Sequence, residues 1–207
     1  HSFFQLEPKV KPRIKKIRGP NNLKAMEKLE CLIIDEISMV RADLFDAINY
    51  RLQDVKSNQE PFGGISVIVA GDPYQLDPVL RKHEEPAFYH GKEEYEGPFF
   101  FHSQVFKEIF NKGDFNPYEL VNSFRSSKDK GFTALLDNLR IGKDVRRSIN
   151  KFNEVCKRDV LKNNDSALFL TSRNKEAESI NNAKLEELES EKRIYLADVE
   201  NFYDENN

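Results

Sequence analysis

The sequence has few cysteines and no long apolar run, and both features narrow the class of protein. Cys31 and Cys156 are two cysteines among 207 residues, too few and too far apart for a metal framework. With no secretory signal at the start, they are expected to be reduced thiols in an intracellular protein. The charged fraction is 32% and no apolar stretch reaches membrane-spanning length, so a transmembrane segment is excluded.

The chain also lacks an excess of positive charge, since its formal net charge is −3. Any contact with nucleic acid must therefore come from a local patch. The most cationic stretch is residues 7–20, which alternates basic and apolar residues before a Gly-Pro-Asn-Asn turn. A β-ribbon lying along a phosphate backbone and an edge strand protected against aggregation fit this pattern equally well. Its candidate phosphate-binding residues are Lys11, Arg13, Lys15, Lys16 and Arg18.

The strongest motif is residues 32–40. In it an apolar run of strand length stops abruptly at Asp35 and Glu36. This pattern is typical of a buried parallel strand that delivers charge to the carboxyl edge of a sheet, where α/β proteins bind ligands. In nucleotide hydrolases this arrangement is the Walker B site. The pattern predicts that Asp35 binds Mg²⁺ and that Glu36 is the general base. A strand end with two solvated acids is the alternative.

A second motif follows the next apolar run. Residues 65–70 are rich in β-branched side chains and predict another buried strand, and residues 71–79 after it contain Gly71, Asp72 and Gln75. Two neighbouring parallel strands would bring both polar ends to one edge, where the amide of Gln75 can bond a γ-phosphate or the attacking water. Taken alone, the Asp-Pro pair also fits an ordinary turn.

The remaining periodicity predicts helices and strands on both sides of a linker. Residues 41–55 have apolar residues at helical spacing, and the charged residues of this helix are expected to face solvent. Residues 81–98 are expected to form a solvated loop, and residues 111–114 a linker. The other expected elements are helices at 23–29, 103–110 with Ser103 as N-cap, 129–140, 148–158 and 174–191, and strands at 98–101, 118–124, 167–170 and 193–199.

These motifs resemble those of the superfamily-one DNA helicases of the RecD-like and PIF type. Residues 32–40 are similar to helicase motif II and residues 71–79 to motif III. Residues 1–4 are similar to the end of motif Ic, and residues 120–126 to motif IV. The resemblance extends along nearly the whole chain and implies an α/β fold, with RecA-like parallel sheets flanked by helices.

The resemblance also implies which domains the chain contains and which residues bind ATP, Mg²⁺ and DNA. Residues 1–112 would belong to the first RecA-like domain, with a basic wedge-like insertion at 7–20, and residues 113–207 would begin the second. ATP would bind between the domains, with Mg²⁺ on Asp35, water activation by Glu36 and a γ-phosphate contact from Gln75. Arg125 would be an arginine finger. Single-stranded DNA and duplex junctions would be the partners, contacted by His1 and Ser2, and the protein would be a monomer moving 5′ to 3′, cytoplasmic and nucleoid-associated if bacterial.

The sequence departs from the family pattern at Asp77 in motif III and Ser126 in motif IV, and it lacks other parts of the pattern altogether. No G-x-x-x-x-G-K-[ST] loop occurs in the 207 residues, and the family places that loop ahead of His1. Motifs V and VI are also missing, so this chain alone is expected neither to bind nucleotide tightly nor to translocate. A non-catalytic nucleic-acid-binding or scaffold module therefore stands as the alternative. A P-loop kinase or signalling NTPase shares motif II but does not explain Gln75 together with Arg125.

Overall fold

The computed structural model describes residues 3–7, 9–12, 14–89, 95–122, 129–156, 168–188, 190 and 193. The chain divides into two compact units, His1–Ile149 and Asn150–Asn207. The domain boundary predicted between residues 112 and 113 concerns RecA-like domains and stays a prediction. None of the helices in the described ranges is long and apolar enough to span a bilayer.

The described elements are mainly helical, with one small sheet. The helices are α1 (Pro20–Glu27), α2 (Ala42–Lys56), α3 (Pro86–Tyr89), α4 (Gln104–Lys112), α5 (Lys130–Arg140), α6 (Val145–Cys156) and α7 (Asn174–Glu186), and the strands are β1 (Cys31–Ile34) and β2 (Ser66–Val69). Three short 3₁₀ helices occupy Ile37–Met39, Pro61–Gly64 and Phe100–His102.

The sheet consists of β1 and β2, which pair in parallel with Leu32 opposite Val67 and Ile34 opposite Val69. Parallel neighbours need a crossover connection, and here α2 supplies it. The two strands predicted at the acid-tipped motifs are therefore confirmed, together with their parallel direction.

The prediction that these strands are buried is right for one face only. Leu32, Ile34, Val67 and Val69 pack against the hydrophobic core. Because side chains alternate along a strand, Ile33 and its cross-strand partner Ile68 point the other way. Ile33 is 67% exposed and Ile68 is 53% exposed, so the second face is uncovered within the described residues.

The core of the first unit is organised around α2. Its stripe of Phe45, Ile48 and Leu52 is buried, as the helical spacing predicts. Phe45 makes edge-to-face contacts with Phe62 and Phe100, at centroid distances of 5.1 and 5.8 Å. The other buried members of this cluster are Phe4, Leu6, Met26, Ile37, Ala47, Phe62 and Val105.

The prediction that the charged residues of α2 face solvent is wrong for three of them. Asp43, Asp46 and Arg51 are 2%, 1% and 0% exposed. Each is buried because it binds backbone groups of another segment. The carboxylate of Asp46 accepts hydrogen bonds from the backbone N–H groups of Gln104 and Val105, at 3.0 and 2.9 Å, at the start of α4.

Residues 98–101 are not the predicted strand. Phe99 makes one isolated antiparallel bridge with Arg41, and the chain then turns into the 3₁₀ helix Phe100–His102. The aromatic side chains still pack on one another and on the core, which the composition alone indicates. The predicted N-cap of α4 is confirmed, because the Ser103 hydroxyl accepts a 3.2 Å hydrogen bond from the Phe106 N–H.

Three other predictions about local structure need correction. The loop 81–98 is partly packed, since Phe88 and Tyr95 are 1% and 4% exposed and stack on each other. Of the predicted strands 118–124 and 167–170, the described parts, residues 118–122 and 168–170, have no strand structure. The predicted strand 193–199 falls almost wholly outside the described residues. In the second unit, the helix predicted at 174–191 forms as α7 but ends at Glu186.

Candidate functional site

The parallel pairing of β1 and β2 brings the two polar motifs to the same edge of the sheet. Asp35 and Glu36 follow β1 directly, and Gly71 to Gln75 follow β2 after Ala70. All four of Asp35, Glu36, Gly71 and Gln75 are exposed. The carboxyl edge of a parallel sheet is where α/β proteins bind ligands, so this edge is the candidate site.

Backbone hydrogen bonds hold the two motifs together. The Ala70 N–H donates to the Ile34 carbonyl at 2.9 Å, and the Ile37 N–H donates to the Ala70 carbonyl at 2.9 Å. Gly71 lies directly against this junction, because a Cβ at residue 71 would come within 2.9 Å of the Ile37 nitrogen. Glycine is therefore required for the two strand ends to approach this closely.

Glu36 has a strained backbone. Its φ of 51° and ψ of 45° are left-handed, a conformation that costs a non-glycine residue about 1 kcal/mol or more. The Glu36 N–H donates to Asp35 Oδ1 at 2.9 Å. The sharp turn lets adjacent carboxylates project from the strand end before the 3₁₀ helix Ile37–Met39 begins. Such strain is common where side-chain direction matters for chemistry.

Gln75 is positioned by a compact turn. Asp72 Oδ1 accepts a 3.0 Å hydrogen bond from the Tyr74 N–H, and the Gln75 N–H donates to the Asp72 carbonyl at 3.0 Å. The Gln75 side-chain amide lies 3.5 Å from Asp72 Oδ2. The exposed amide therefore stands at the same sheet edge as Asp35 and Glu36, held by one carboxylate.

The donor set at this edge fits magnesium held jointly with a nucleotide. Mg²⁺ prefers oxygen ligands and is usually held by one or two carboxylates plus water and phosphate oxygens. Asp35 supplies such a carboxylate, with one oxygen engaged by the Glu36 N–H. Among the described residues no group of three or more His, Cys, Asp or Glu side chains gathers as a metal site. The predicted role of Asp35 is compatible with this arrangement, which leaves the remaining ligand positions to nucleotide and water.

The basic segment, residues 7–20, is in its described part before α1 a loop tied to the core rather than a ribbon or an edge strand. Its described residues form no strand before α1. The Gln5 side chain closes the loop, because Gln5 donates to the Arg18 carbonyl and accepts from the Arg18 N–H, both at 2.7 Å. Arg51 of α2 donates to the carbonyls of Phe4 and Lys15 at 3.0 and 2.6 Å. Side chains thus bond backbone groups that a ribbon would pair with another strand.

The cations of the basic segment are partly neutralised. Glu7 forms ion pairs with Lys9 and Lys15. The hydrogen bonds from Lys15 and Lys9 lower the pKa of Glu7 to about 2. Lys16 and Arg18 are exposed. The structure therefore brings Lys11, Lys15, Lys16 and Arg18 into one segment, whereas Arg13, His1 and Ser2 lie outside the described residues.

Arg41 anchors the start of α2 to two other segments, and sequence reasoning missed it. Its guanidinium bonds Asp43 at 2.7 and 2.9 Å, Glu84 at 3.1 Å and the Lys9 carbonyl at 3.1 Å. Burial opposes its charge, but the hydrogen bonds and charges of Asp43 and Glu84 raise the pKa of Arg41. Asp43 also accepts the Lys11 N–H at 2.7 Å. Helical periodicity carries no signal for Glu84 and Lys9, the two partners that are distant in sequence.

Comparison with known proteins identifies the family. The family model for PIF1-like helicase matches residues 1–92. The ATP-dependent DNA helicase PIF1 of Candida albicans is 37% identical over 150 residues, which are 69% of this chain and 16% of that protein. The protein of the same name from Danio rerio is 30% identical over 178 residues, 86% of this chain and 25% of that protein. This chain belongs to the PIF1-like helicases.

Solved structures of PIF1-like helicases have the same fold. The crystal structure of a Bacteroides Pif1 helicase in complex with ADP-AlF3 and single-stranded DNA matches with a TM-score of 0.75 and 31% identity. The match covers 92% of this chain and 44% of that one. The Candida albicans Pif1 crystal structure matches with a TM-score of 0.62 at 25% identity, over 83% of this chain and 35% of that one. The predicted RecA-like α/β fold is thereby confirmed.

The chain spans only part of the PIF1-like helicases that it matches, between 16% and 25% of the Candida and Danio proteins. Within it, the structure brings Asp35, Glu36 and Gln75 to one sheet edge. Arg125, the predicted arginine finger, lies outside the described residues. The roles assigned to these four residues remain predictions.

Proposed function

We propose that the protein containing this chain is an ATP-dependent DNA helicase that hydrolyses ATP at the edge formed by β1 and β2. The observation that carries the proposal is the parallel pairing that brings Asp35, Glu36 and the Gln75 turn to one sheet edge. Relatives named ATP-dependent DNA helicases support the activity. A Bacteroides relative that binds ADP-AlF3 and single-stranded DNA supports the choice of nucleotide and partner.

Three residues at the edge have distinct roles in this proposal. Asp35 contributes a carboxylate oxygen to Mg²⁺, and Glu36 accepts a proton from the attacking water. Gln75 donates or accepts hydrogen bonds at the terminal phosphate or that water. Bound Mg²⁺-ATP supplies the phosphoryl group whose transfer releases the free energy used for movement. The left-handed backbone of Glu36 marks the sharp turn at which both carboxylates lie.

Arg125 is proposed to stabilise the charge on the transferring phosphoryl group. Such a guanidinium contributes on the order of 10³-fold or more to the rate in related nucleotide hydrolases. Because it acts on the transition state, Arg125→Ala is expected to lower kcat while sparing the affinity for nucleotide. Equal loss of both quantities would argue against the finger role.

The basic segment is proposed to contact DNA through phosphate groups, at single-stranded DNA and at duplex junctions. Lys16 and Arg18 are exposed on a loop anchored by Gln5 and Arg51. Arg13, His1 and Ser2 are proposed to take part in the same contact. The slope of log affinity against log salt is expected to fall by about 0.7 for each single-strand phosphate contact removed. We also propose that the helicase acts as a monomer and moves 5′ to 3′.

The deciding experiment measures ATP hydrolysis by the longest native form of the protein, with and without single-stranded DNA. DNA-stimulated hydrolysis that Glu36→Gln abolishes is expected, because the amide cannot accept the proton. Glu30→Gln is a matched control, since Glu30 is an exposed acid at the opposite end of β1. Unchanged hydrolysis in Glu36→Gln would overturn the catalytic assignment.

A second candidate is a non-catalytic nucleic-acid-binding or scaffold module. The observation in its favour is the lack of a G-x-x-x-x-G-K-[ST] loop in these 207 residues. If a native form that contains such a loop bound DNA but hydrolysed no ATP, the scaffold would replace the motor. If the native form does hydrolyse ATP, a strand-displacement assay tests the proposed 5′ to 3′ polarity. It compares duplexes that have a 5′ overhang with duplexes that have a 3′ overhang.

A further inference from the structure

Arg140, the last residue of α5, reaches the turn that carries Gln75. Its Nη2 lies 3.3 Å from Asp72 Oδ1, and its Cζ lies 5.3 Å from the centroid of the Tyr74 ring. The side chain of Asp72 is 23% exposed and that of Arg140 is 43% exposed. A single guanidinium therefore pairs with a carboxylate and lies over an aromatic ring, a combination that lysine does not reproduce.

The position of Arg140 is fixed by the ends of α5. Asp129 caps the helix, because its side chain accepts a 2.9 Å hydrogen bond from the Phe132 N–H. The helix stops just after Arg140, where Gly142 has a φ of +70° and donates its N–H to the Leu139 carbonyl. A cation in the last helical turn is also favoured by the helix dipole. Arg140 is thus presented from a helix with defined ends.

Asp72 is the point at which Arg140 and Gln75 meet. Its Oδ1 accepts the Tyr74 N–H at 3.0 Å and pairs with Arg140, while its Oδ2 lies 3.5 Å from the Gln75 amide nitrogen. The Asp72 carboxylate therefore stabilises the turn through Tyr74 and Gln75, and Arg140 of α5 holds the carboxylate itself. Without the contact to Arg140, the Asp72 carboxylate could rotate. The Gln75 amide, which lies against that carboxylate, would then lose its fixed orientation.

We propose that Arg140 is a positioning residue for Gln75, acting through the carboxylate of Asp72. The proposal rests on the proposed function, in which Gln75 bonds the terminal phosphate or the attacking water. Arg140 itself touches neither. It links the end of α5 to the nucleotide edge, so movement of α5 would change the orientation of the Gln75 amide. Its loss should lower the rate of the chemical step and leave nucleotide affinity nearly unchanged.

The test is steady-state ATP hydrolysis by the longest native form with single-stranded DNA, comparing kcat and KM for ATP. Small misplacement of a reacting group costs up to about 10²-fold, so for Arg140→Ala we expect kcat to fall about 3- to 10-fold, with KM within about twofold. Arg140→Lys should recover part of the loss, since it keeps the charge but not the planar guanidinium. Arg147→Ala, an exposed arginine of α6, is the matched control and should behave as wild type.

A double-mutant cycle with Asp72→Asn separates positioning from a general effect of charge. Asparagine keeps an acceptor for the Tyr74 N–H but loses the pairing with Arg140. If Arg140 acts through Asp72, the double variant should lose no more kcat than the more damaging single variant. Multiplying losses in the double variant would overturn the proposal. A melting temperature equal to that of wild type shows that the variants are folded, and if Arg140→Ala is unstable, Arg140→Lys decides.

The outcomes distinguish this proposal from the function on which it rests. Wild-type kcat in Arg140→Ala, together with an inactive Glu36→Gln, would overturn the role of Arg140 and leave the hydrolase intact. Unchanged hydrolysis in Glu36→Gln would instead overturn the assignment of the site.

Discussion

Gly71 and Ile37 are in such close contact that no side chain fits between them. A Cβ at residue 71 would lie 2.9 Å from the Ile37 nitrogen and 3.0 Å from its Cγ2. This contact joins the ends of β1 and β2, the edge at which Asp35, Glu36 and Gln75 lie. The packing of the candidate site therefore depends on a hydrogen atom at residue 71.

Gly71→Ala should destabilise the chain and disturb the site. Overpacking of this kind typically costs about 1–3 kcal/mol, because backbone has to shift. A lower midpoint of thermal unfolding, measured by circular dichroism on the 207-residue chain, is the expected result. Gly131→Ala is the matched control, since a Cβ there meets nothing closer than 3.5 Å and helical alanine is favoured by about 1 kcal/mol. Equal stability of the Gly71 variant and wild type would contradict the contact.

Glu7→Gln should strengthen binding to single-stranded DNA. Glu7 holds Lys9 and Lys15 in ion pairs, so its neutralisation frees two cations for phosphate. The slope of log affinity against log salt should become steeper by about 0.7 for each new contact, up to two contacts. Fluorescence anisotropy with a labelled oligonucleotide at several salt concentrations measures both quantities. An unchanged slope would show that Lys9 and Lys15 do not face DNA, and Glu30→Gln controls for the change in net charge.

Glu84 should make stability depend on pH. A hydrogen bond from the Arg81 N–H, opposed by burial and reinforced by Arg41, lowers the pKa of Glu84. A carboxylate with a lowered folded-state pKa contributes stability above its ordinary pKa, and the contribution is lost as pH falls through the lowered value. Glu84→Gln should therefore cost about 1–3 kcal/mol at pH 7, since it removes charged hydrogen bonds.

The cost of Glu84→Gln should shrink as the pH is lowered below the ordinary carboxyl range. Urea unfolding of wild type and variant at a series of pH values gives the difference directly. Glu85→Gln, at the adjacent exposed position, should stay within about 0.5 kcal/mol of wild type throughout. A pH-independent difference would mean that the ionised carboxylate is not what stabilises this contact.

Asp46→Ala should loosen α4 from α2. It removes the acceptor for the N–H groups of Gln104 and Val105, and an unsatisfied buried donor costs about 1–3 kcal/mol. Asp46→Asn keeps one acceptor oxygen and should fall between alanine and wild type. The free energy of unfolding measures the effect, with the exposed Asp137→Ala as control. Equal values for the alanine and asparagine variants would contradict a role as acceptor.

The parts of the fold that sequence predicted are those with a local physical signal. The stripe of Phe45, Ile48 and Leu52 has the helical period, and Ser103 is a favoured N-cap residue placed just before a helix. The two acid-tipped strands stand out because an apolar run stops abruptly at charge. In each case the residues that make up the signal lie within a few positions of one another along the chain.

The parts that were missed depend on partners far away in sequence. Arg51 was expected in solvent, but it is buried because it bonds the carbonyls of Phe4 and Lys15. Residues 98–101 have strand composition, yet only Phe99 finds a bridging partner, Arg41, and the following residues turn into a 3₁₀ helix. Arg140 has no pattern that points to Asp72, 68 positions away; only the folded chain reveals the pair.

The exposed face of the sheet carries a cysteine whose reactivity can report how accessible that face is. Cys31 is exposed and free, and strand alternation places it on the same face as Ile33, which no described part of the chain covers. A thiol there reacts with a maleimide or a fluorophore without unfolding the protein. In a Cys156→Ser background the labelling rate of Cys31 therefore measures how open that face of β1 is, and anything that packs on the face will slow the reaction.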